Sequence, residues 1–240
     1  MSLANRLPDL ERKYADQEAE GILSAFIRTE FPDKIALVSS FGIEAAVLLD
    51  MVAQIDRQTP VLFLDTGKLF PETLRYRDRL VEHLKLENVK TYYPDYVDIS
   101  REDPEGGLWE SRPSACCYNR KVKPLHKALK GFECWITGRK RFHGGLRADL
   151  PMMEFFEGQI KINPLGAWSA DRIMAAFEDR ALPRHPLEAQ GYTSVGCMPC
   201  TSLPVAGSGA RSGRWQGQDK TECGIHLAAD GTFKRGSGTS

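Results

Sequence analysis

The sequence lacks a charge surplus: its 240 residues hold 32 Lys and Arg against 32 Asp and Glu. A chain that wraps nucleic acid or an anionic lipid surface carries a basic excess, so neither nucleic acid nor membrane is an expected partner. Long apolar runs are missing too. No stretch approaches the about 20 residues of a membrane helix, and the polar Met1–Glu20 segment lacks a signal peptide's apolar core, which predicts a cytosolic protein. Cysteine is scarce, at six residues. In a reducing compartment such cysteines serve metal binding or catalysis more often than disulfides. No internal repeat is visible.

What is present reads as one α/β body. Hydrophobic residues make up 42% and charged residues 27%, the balance of a globular chain. A chain of this length buries a core without disulfide staples. Residues 8–29 predict an amphipathic helix. Short apolar runs predict buried strands at Ile35–Ser39, Val61–Leu64, Val89–Tyr93 and Cys134–Thr137. Helical spacing follows the first run at Ile43, Val47, Leu48, Met51 and Ile55. Pro71 suits the first turn of another helix. Residues 94–118, with Pro94, Pro104, Gly106, Gly107 and Pro113, predict a long loop, followed by a helix over about 118–129. A basic, Gly-containing loop is expected over 139–151, and Ser169 is placed as an N-cap. Strands alternating with helices predict a mostly parallel sheet covered on both faces, with ligands beyond the strand C-termini. The chain divides into a body, 1–202, and a Gly/Ser-rich segment, 203–240, expected to be a flexible tail or lid.

The cysteines fall into Cys116-Cys117, Cys197-Met-Pro-Cys200, Cys134 and Cys223. Four thiolates in two pairs can hold a 4Fe–4S cluster or a zinc ion. Adjacent cysteines are unusual for zinc, which favours iron–sulfur. Two unrelated thiol pairs, or a redox-active C-x-x-C, remain alternatives. Cys134 lies in an apolar run and reads as a small buried hydrophobe. Cys223 belongs to neither pair. With Lys220 and His226 nearby it fits a reactive thiol, although an incidental surface cysteine has the same signature.

Basic residues cluster beside these cysteines or at strand ends: Arg120, Lys121 and Lys123; Arg139, Lys140 and Arg141; Arg147; Arg211 and Arg214. Some must be solvated surface. Their placement in a neutral chain suits a compact anion, because guanidinium forks match phosphate and sulfate oxygens. Ser39-Ser40-Phe41-Gly42-Ile43-Glu44, between strand and helix, offers hydroxyls and N–H groups to an anion. It is neither a Walker A loop nor a Rossmann fingerprint, and any strand-to-helix turn can contain Ser and Gly.

Together these segments resemble the assimilatory adenylyl-sulfate and phosphoadenylyl-sulfate reductases. The resemblance runs from about residue 35 to 228, through Ser39–Glu44, Asp65–Thr73, Cys116–Val122, Ile136–Arg139, Asn163–Leu165, Cys197–Thr201, Arg211–Trp215 and Glu222–His226 in that order. It implies an adenine-nucleotide α-hydrolase-like fold and reduction of adenosine 5′-phosphosulfate to sulfite and AMP. Both cysteine pairs place the chain with the cluster-bearing type, so Cys116, Cys117, Cys197 and Cys200 are the implied ligands of a 4Fe–4S cluster. Cys223 is the implied nucleophile, and thioredoxin or glutaredoxin the implied reductant. Ser39, Ser40, Gly42, Thr66 and Gly138 are expected at the nucleotide. Lys121, Arg147, Arg211, Arg214 and His226 are expected at the phosphosulfate. Ile225 stands where the family motif has Leu, and Phe142–Leu146 departs from the polar sequence usual there. The chain has no fused thioredoxin-like domain, so a separate reductant is expected; a homo-oligomer stays open. Alternatives are use of the 3′-phosphorylated substrate, an iron–sulfur ATP-dependent sulfurtransferase, and a non-catalytic zinc-binding module.

Overall fold

The computed structural model describes residues 2–226. The part of the expected tail over 227–240 lies outside them. Nine α-helices and six strands are ordered along the described residues as α1 (Leu3–Lys13), α2 (Ala19–Ala25), β1 (Ile35–Ser39), α3 (Ala45–Ile55), β2 (Val61–Leu64), α4 (Pro71–Leu84), β3 (Val89–Tyr92), α5 (Tyr96–Glu102), α6 (Leu108–Ser111), α7 (Pro113–Cys117), α8 (Lys123–Ala128), β4 (Cys134–Ile136), β5 (Met153–Phe156), β6 (Gln159–Ile162) and α9 (Ala170–Asp179).

The sheet order is β3-β2-β1-β4-β6-β5. All pairings are parallel except the β5–β6 edge. The central strands are apolar throughout because both their faces are covered. Ile35 and Leu37 face a core shared with α2, α3 and α9, while Ala36, Leu62 and Trp135 face a second core under α8. The chain builds β1, β2 and β3 outward, then returns to lay β4 on the other side of β1. Strand order therefore reverses between β1 and β4, which opens a crevice at their C-terminal ends.

Three local expectations are corrected. In place of one helix over 8–29, the chain breaks after α1 and continues from α2 into a π-helical turn at Phe26–Glu30. Tyr14 leaves helical geometry because its ring packs edge-on against Phe26, at 5.3 Å, and its hydroxyl donates to Glu30 at 2.7 Å. Residues 94–118 are not a loop but hold three short helices. These are nucleated by local capping, with no hydrophobic period: Asp95 accepts from Val97 N and Asp98 N, and Asp103 accepts from Leu108 N. The hairpin β5–β6 was not expected. Its two-residue turn is Glu157-Gly158, with φ of 49° and 89°, the left-handed pair that such a turn demands.

Candidate functional site

A cavity of about 220 Å³ fills the crevice at the strand-order reversal. One wall comes from the turns after β1, β2 and β4. After β1, Ser39 Oγ accepts from Phe41 N at 3.2 Å. Phe41 is held at φ 48°, with its ring edge-on to Phe63. A bulky residue in that conformation costs free energy that packing must offset, a pattern concentrated at functional sites. Ser40 is left exposed, and Ser40, Gly42 and Glu44 line the cavity where α3 begins. Glu44 gives α3 no side-chain cap. Its carboxylate instead receives Lys140 Nζ at 2.6 Å and His143 Nε2. Burial alone would raise the Glu44 carboxyl, but His143 and the Lys140 charge hold it down at about 2. The helix start is thus open to an incoming anion. After β2, Asp65 accepts from Gly67 N at 2.9 Å, with Gly67 at φ 68°. After β4, a Cβ on Gly138 would reach Leu48, and the Gly138 carbonyl accepts from Lys140.

The second wall comes from residues 193–226. The stretch expected to be a tail is, over its described part, packed on the body. Ser202 N donates to Gly213 O at 2.8 Å, and Trp215 N donates to Cys200 O at 3.1 Å. Gly213 is required there, since a Cβ would overlap the Ser202 carbonyl. At Gly196, the space for a Cβ is filled by the Arg214 guanidinium. His226 is buried against Trp135, with rings nearly parallel and 6.0 Å apart. Burial, then the charges of Arg139 and Lys161, push its imidazole well below its ordinary range. It therefore meets the cavity as a neutral ring.

Both walls meet at the cysteines. Cys116 and Cys117 close α7, and Cys197 and Cys200 flank a short 3₁₀ turn. The second pair is sutured to the turn after β2: Thr66 Oγ1 lies 3.2 Å from Cys197 Sγ, and Met198 N donates to Lys68 O at 2.7 Å. The two pairs lie within electrostatic reach of each other. Burial, then neighbouring thiolates, raise Cys116 and Cys200, while burial pushes Cys117 up to about 11. Burial also opposes ionisation of Cys197, but the Lys121 charge and the Thr66 hydrogen bond overcome it and lower that thiol. All are free thiols. Among the described residues, no three Cys, His, Asp or Glu side chains gather closely enough for a single metal ion.

Cys223 is half-buried, lines the cavity, and acts electrostatically on Cys117, Lys121 and Arg214. Around it stand four cations. Lys121 has no carboxylate partner among the described residues. Burial opposes its charge, but the thiols of Cys197, Cys223 and Cys117 outweigh that and raise its pKa. Arg147 makes a two-pronged pair with Glu222, at 2.5 and 2.9 Å. Arg211 lies 3.6 Å from the same carboxylate and donates to Thr221 O. Burial, with Arg147 nearby, pushes Arg211 down to about 10, so it stays charged at neutral pH. Arg214 sits over the Trp215 ring at 4.6 Å and reaches Cys200 O at 3.4 Å.

The site residues expected from the sequence thus converge, from Ser39 to His226. The remaining basic-cluster residues are engaged by other partners, although Arg139 and Lys140 also line the cavity. Arg120 is buried on Asp103 and Thr66 O, Arg139 on Glu154 and Asn163, and Lys140 on Glu44, while the partly buried Lys123 pairs with Asp98 and Arg141 donates to Leu150 O. Glu222 was not among the expected site residues, although it opens the Glu222–His226 segment that carries the resemblance.

Residues 34–203 match the family model described as the phosphoadenosine phosphosulfate reductase domain. An adenosine 5′-phosphosulfate reductase from Mesorhizobium japonicum is 46% identical over 226 residues, covering 94% of this chain and 89% of that protein. A phosphoadenosine 5′-phosphosulfate reductase from Gloeobacter violaceus is 36% identical, covering 92% and 93%. Among solved structures, the phosphoadenylyl-sulfate reductase of Candida auris in its phosphate complex superposes with a TM-score of 0.69 at 26% identity, over 81% of this chain and 95% of that one.

Proposed function

The chain belongs to the phosphoadenosine phosphosulfate reductase family, and on that premise we propose that it reduces adenosine 5′-phosphosulfate to sulfite and AMP in the cytosol. The observation that carries this reading is the half-buried Cys223 facing Lys121, Arg147, Arg211 and Arg214 in the cavity that the strand-end turns enclose. Residues 1–202 form the nucleotide-binding body, and the segment from 203 onward delivers the thiol. The turn at Ser39, Ser40 and Gly42, with Thr66 and Gly138, holds the adenylate. The cations neutralise the phosphosulfate, so that two anions can meet.

The Cys223 thiolate attacks the sulfur of the phosphosulfate. A Cys223–sulfur bond forms, the bond from sulfur to the bridging phosphate oxygen breaks, and AMP leaves with that electron pair. The product is a Cys223 S-sulfonate, a covalent intermediate that divides the reaction in two. A thiolate of a dithiol protein of the thioredoxin or glutaredoxin type then attacks Cys223 Sγ. Sulfite departs with the sulfur–sulfur electron pair, and the second thiol of the reductant resolves the mixed disulfide. The two thiols supply both electrons. His226 contributes shape and a neutral ring.

The donor set fits an iron–sulfur cluster better than a lone ion. Three buried thiols and the half-buried Cys200 share one region, and no three donors close to single-ion spacing among the described residues. Cys116, Cys117, Cys197 and Cys200 would hold a 4Fe–4S cluster, which would cross-link α7 and the 197–200 turn when bound. Thr66 and Lys121 tie that region to the substrate side.

The test is anaerobic sulfite release with thioredoxin, comparing adenosine 5′-phosphosulfate with its 3′-phosphorylated form. Cys223→Ser is expected to bind the nucleotide and release no sulfite. Sulfite from that variant refutes the role of Cys223, and a clear preference for the 3′-phosphorylated substrate moves the reading to the other named activity in the family.

A further inference from the structure

The reaction as derived leaves one buried charge beside the nucleophile without a task. Glu222 is 4% exposed and immediately precedes Cys223. Its carboxylate accepts from Arg147 Nε and Nη2, while Arg147 Nη1 stands 3.3 Å from His143 Nδ1. Every nitrogen of the Arg147 guanidinium is therefore engaged. Arg211 approaches the same carboxylate from its own loop. Although burial opposes the Glu222 charge, the hydrogen bonds and charge of Arg147, followed by Arg211, hold its carboxyl below the usual range.

A carboxylate and a tetrahedral sulfo or phospho group present the same two-oxygen edge to a guanidinium fork. They cannot occupy it together. We propose that Glu222 is a positioning residue for Cys223: it occupies the Arg147 fork as the protein's own anion, an oxyanion ligand takes its place there, and the exchange moves the adjacent thiol. Glu222 and Cys223 are consecutive, with α-carbons about 3.8 Å apart, so a backbone shift that carries the Glu222 carboxylate out of the fork also carries residue 223. Gly224, at φ 86°, follows directly and has the conformational range to absorb the shift. The inference rests on reading the cavity as an oxyanion site.

The test uses the full chain and inorganic sulfate, prepared anaerobically. The rate at which iodoacetamide alkylates Cys223 is read from the mass of the peptide that contains it, with buried Cys134 as the internal marker of unfolding. In the wild-type protein, sulfate is expected to accelerate Cys223 several-fold over chloride of equal ionic strength, with Cys134 unchanged. Glu222→Gln is expected to start at the sulfate-stimulated rate and to respond no further. A wild-type Cys223 indifferent to sulfate overturns the proposal without any variant. So does a folded Glu222→Gln protein that keeps the wild-type rate and response. Turnover is not measured, so the two readings fail separately. A protein that releases no sulfite yet shows this response loses the proposed function and keeps the exchange. One that turns over without the response does the reverse.

Discussion

The two walls of the cavity handle positive charge in opposite ways. On the strand-end wall and in the body directly behind it, cations are matched or discharged. Arg120 has Asp103, and Lys140 has Glu44. Where a carboxylate serves two bases, burial lowers the pKa of both: His143 and Lys140 on Glu44, and Arg139 and Lys161 on Glu154, with Lys161 pushed down to about 7 by burial and by the Arg139 charge. Around Cys223, where Arg147 of the loop after β4 meets the 193–226 segment, the excess cannot be resolved this way. Arg147 and Arg211 share Glu222, Arg214 has no carboxylate at hydrogen-bond distance among the described residues, and arginine does not deprotonate in proteins. Matched charge builds structure; charge that can be neither matched nor discharged waits for a ligand.

The contrast can be broken first on the matched wall. Asp103→Asn leaves the Arg120 guanidinium, 9% exposed, without its counter-charge. Uncompensated buried charges of this kind cost about 3–5 kcal/mol, expected as a fall in the denaturant midpoint; a loss below about 1 kcal/mol would mean that the wall is not held by pairing. On the other wall the same loss of charge should act on binding instead. Arg214→Gln is expected to leave the denaturation midpoint nearly unchanged and to weaken adenosine 5′-phosphosulfate by about 1.5–3 kcal/mol, the worth of a hydrogen bond to a charged group, in calorimetry on the Cys223→Ser background. Equal losses of stability and affinity would erase the distinction. The smallest effect concerns Lys161. Its folded pKa lies below its ordinary 10.5, so between about pH 7 and 10.5 the unfolded chain holds the proton and the folded one releases it. Stability from this residue therefore rises with pH across that window and sits at its lower level below pH 7. Lys161→Met should flatten the rise, by about 1 kcal/mol between pH 7 and 8, in urea midpoints measured at both values. An unchanged slope would assign the rise to other groups.

The parts legible in the sequence are those in which local pattern and tertiary role agree. The apolar runs at 35–39 and 61–64 could only be doubly covered strands, and their C-terminal turns marked the crevice. The short helices over 96–117 were hidden because Asp95 and Asp103, not a hydrophobic period, set them. The β5–β6 hairpin was hidden in a turn, Glu157-Gly158, that departs from the commonest pairs. Among the basic clusters, composition could not separate Arg120 and Arg139, which pair with carboxylates at 103 and 154, from Arg211 and Arg214. That sorting depends on contacts the chain makes only once folded. The convergence of positions 116, 117, 197 and 200 likewise rests on the sutures at Thr66 and Lys68, which no spacing reveals.

Gly196 gives the unmatched wall a handle of a different kind. The obstacle to a side chain there is the far end of a flexible arginine, not backbone. A single methyl group at that position would push the Arg214 guanidinium off its indole seat without removing any ionisable group from the chain. Where that cation sits and how much charge it brings, which any replacement of the arginine changes at once, become separable by one carbon atom.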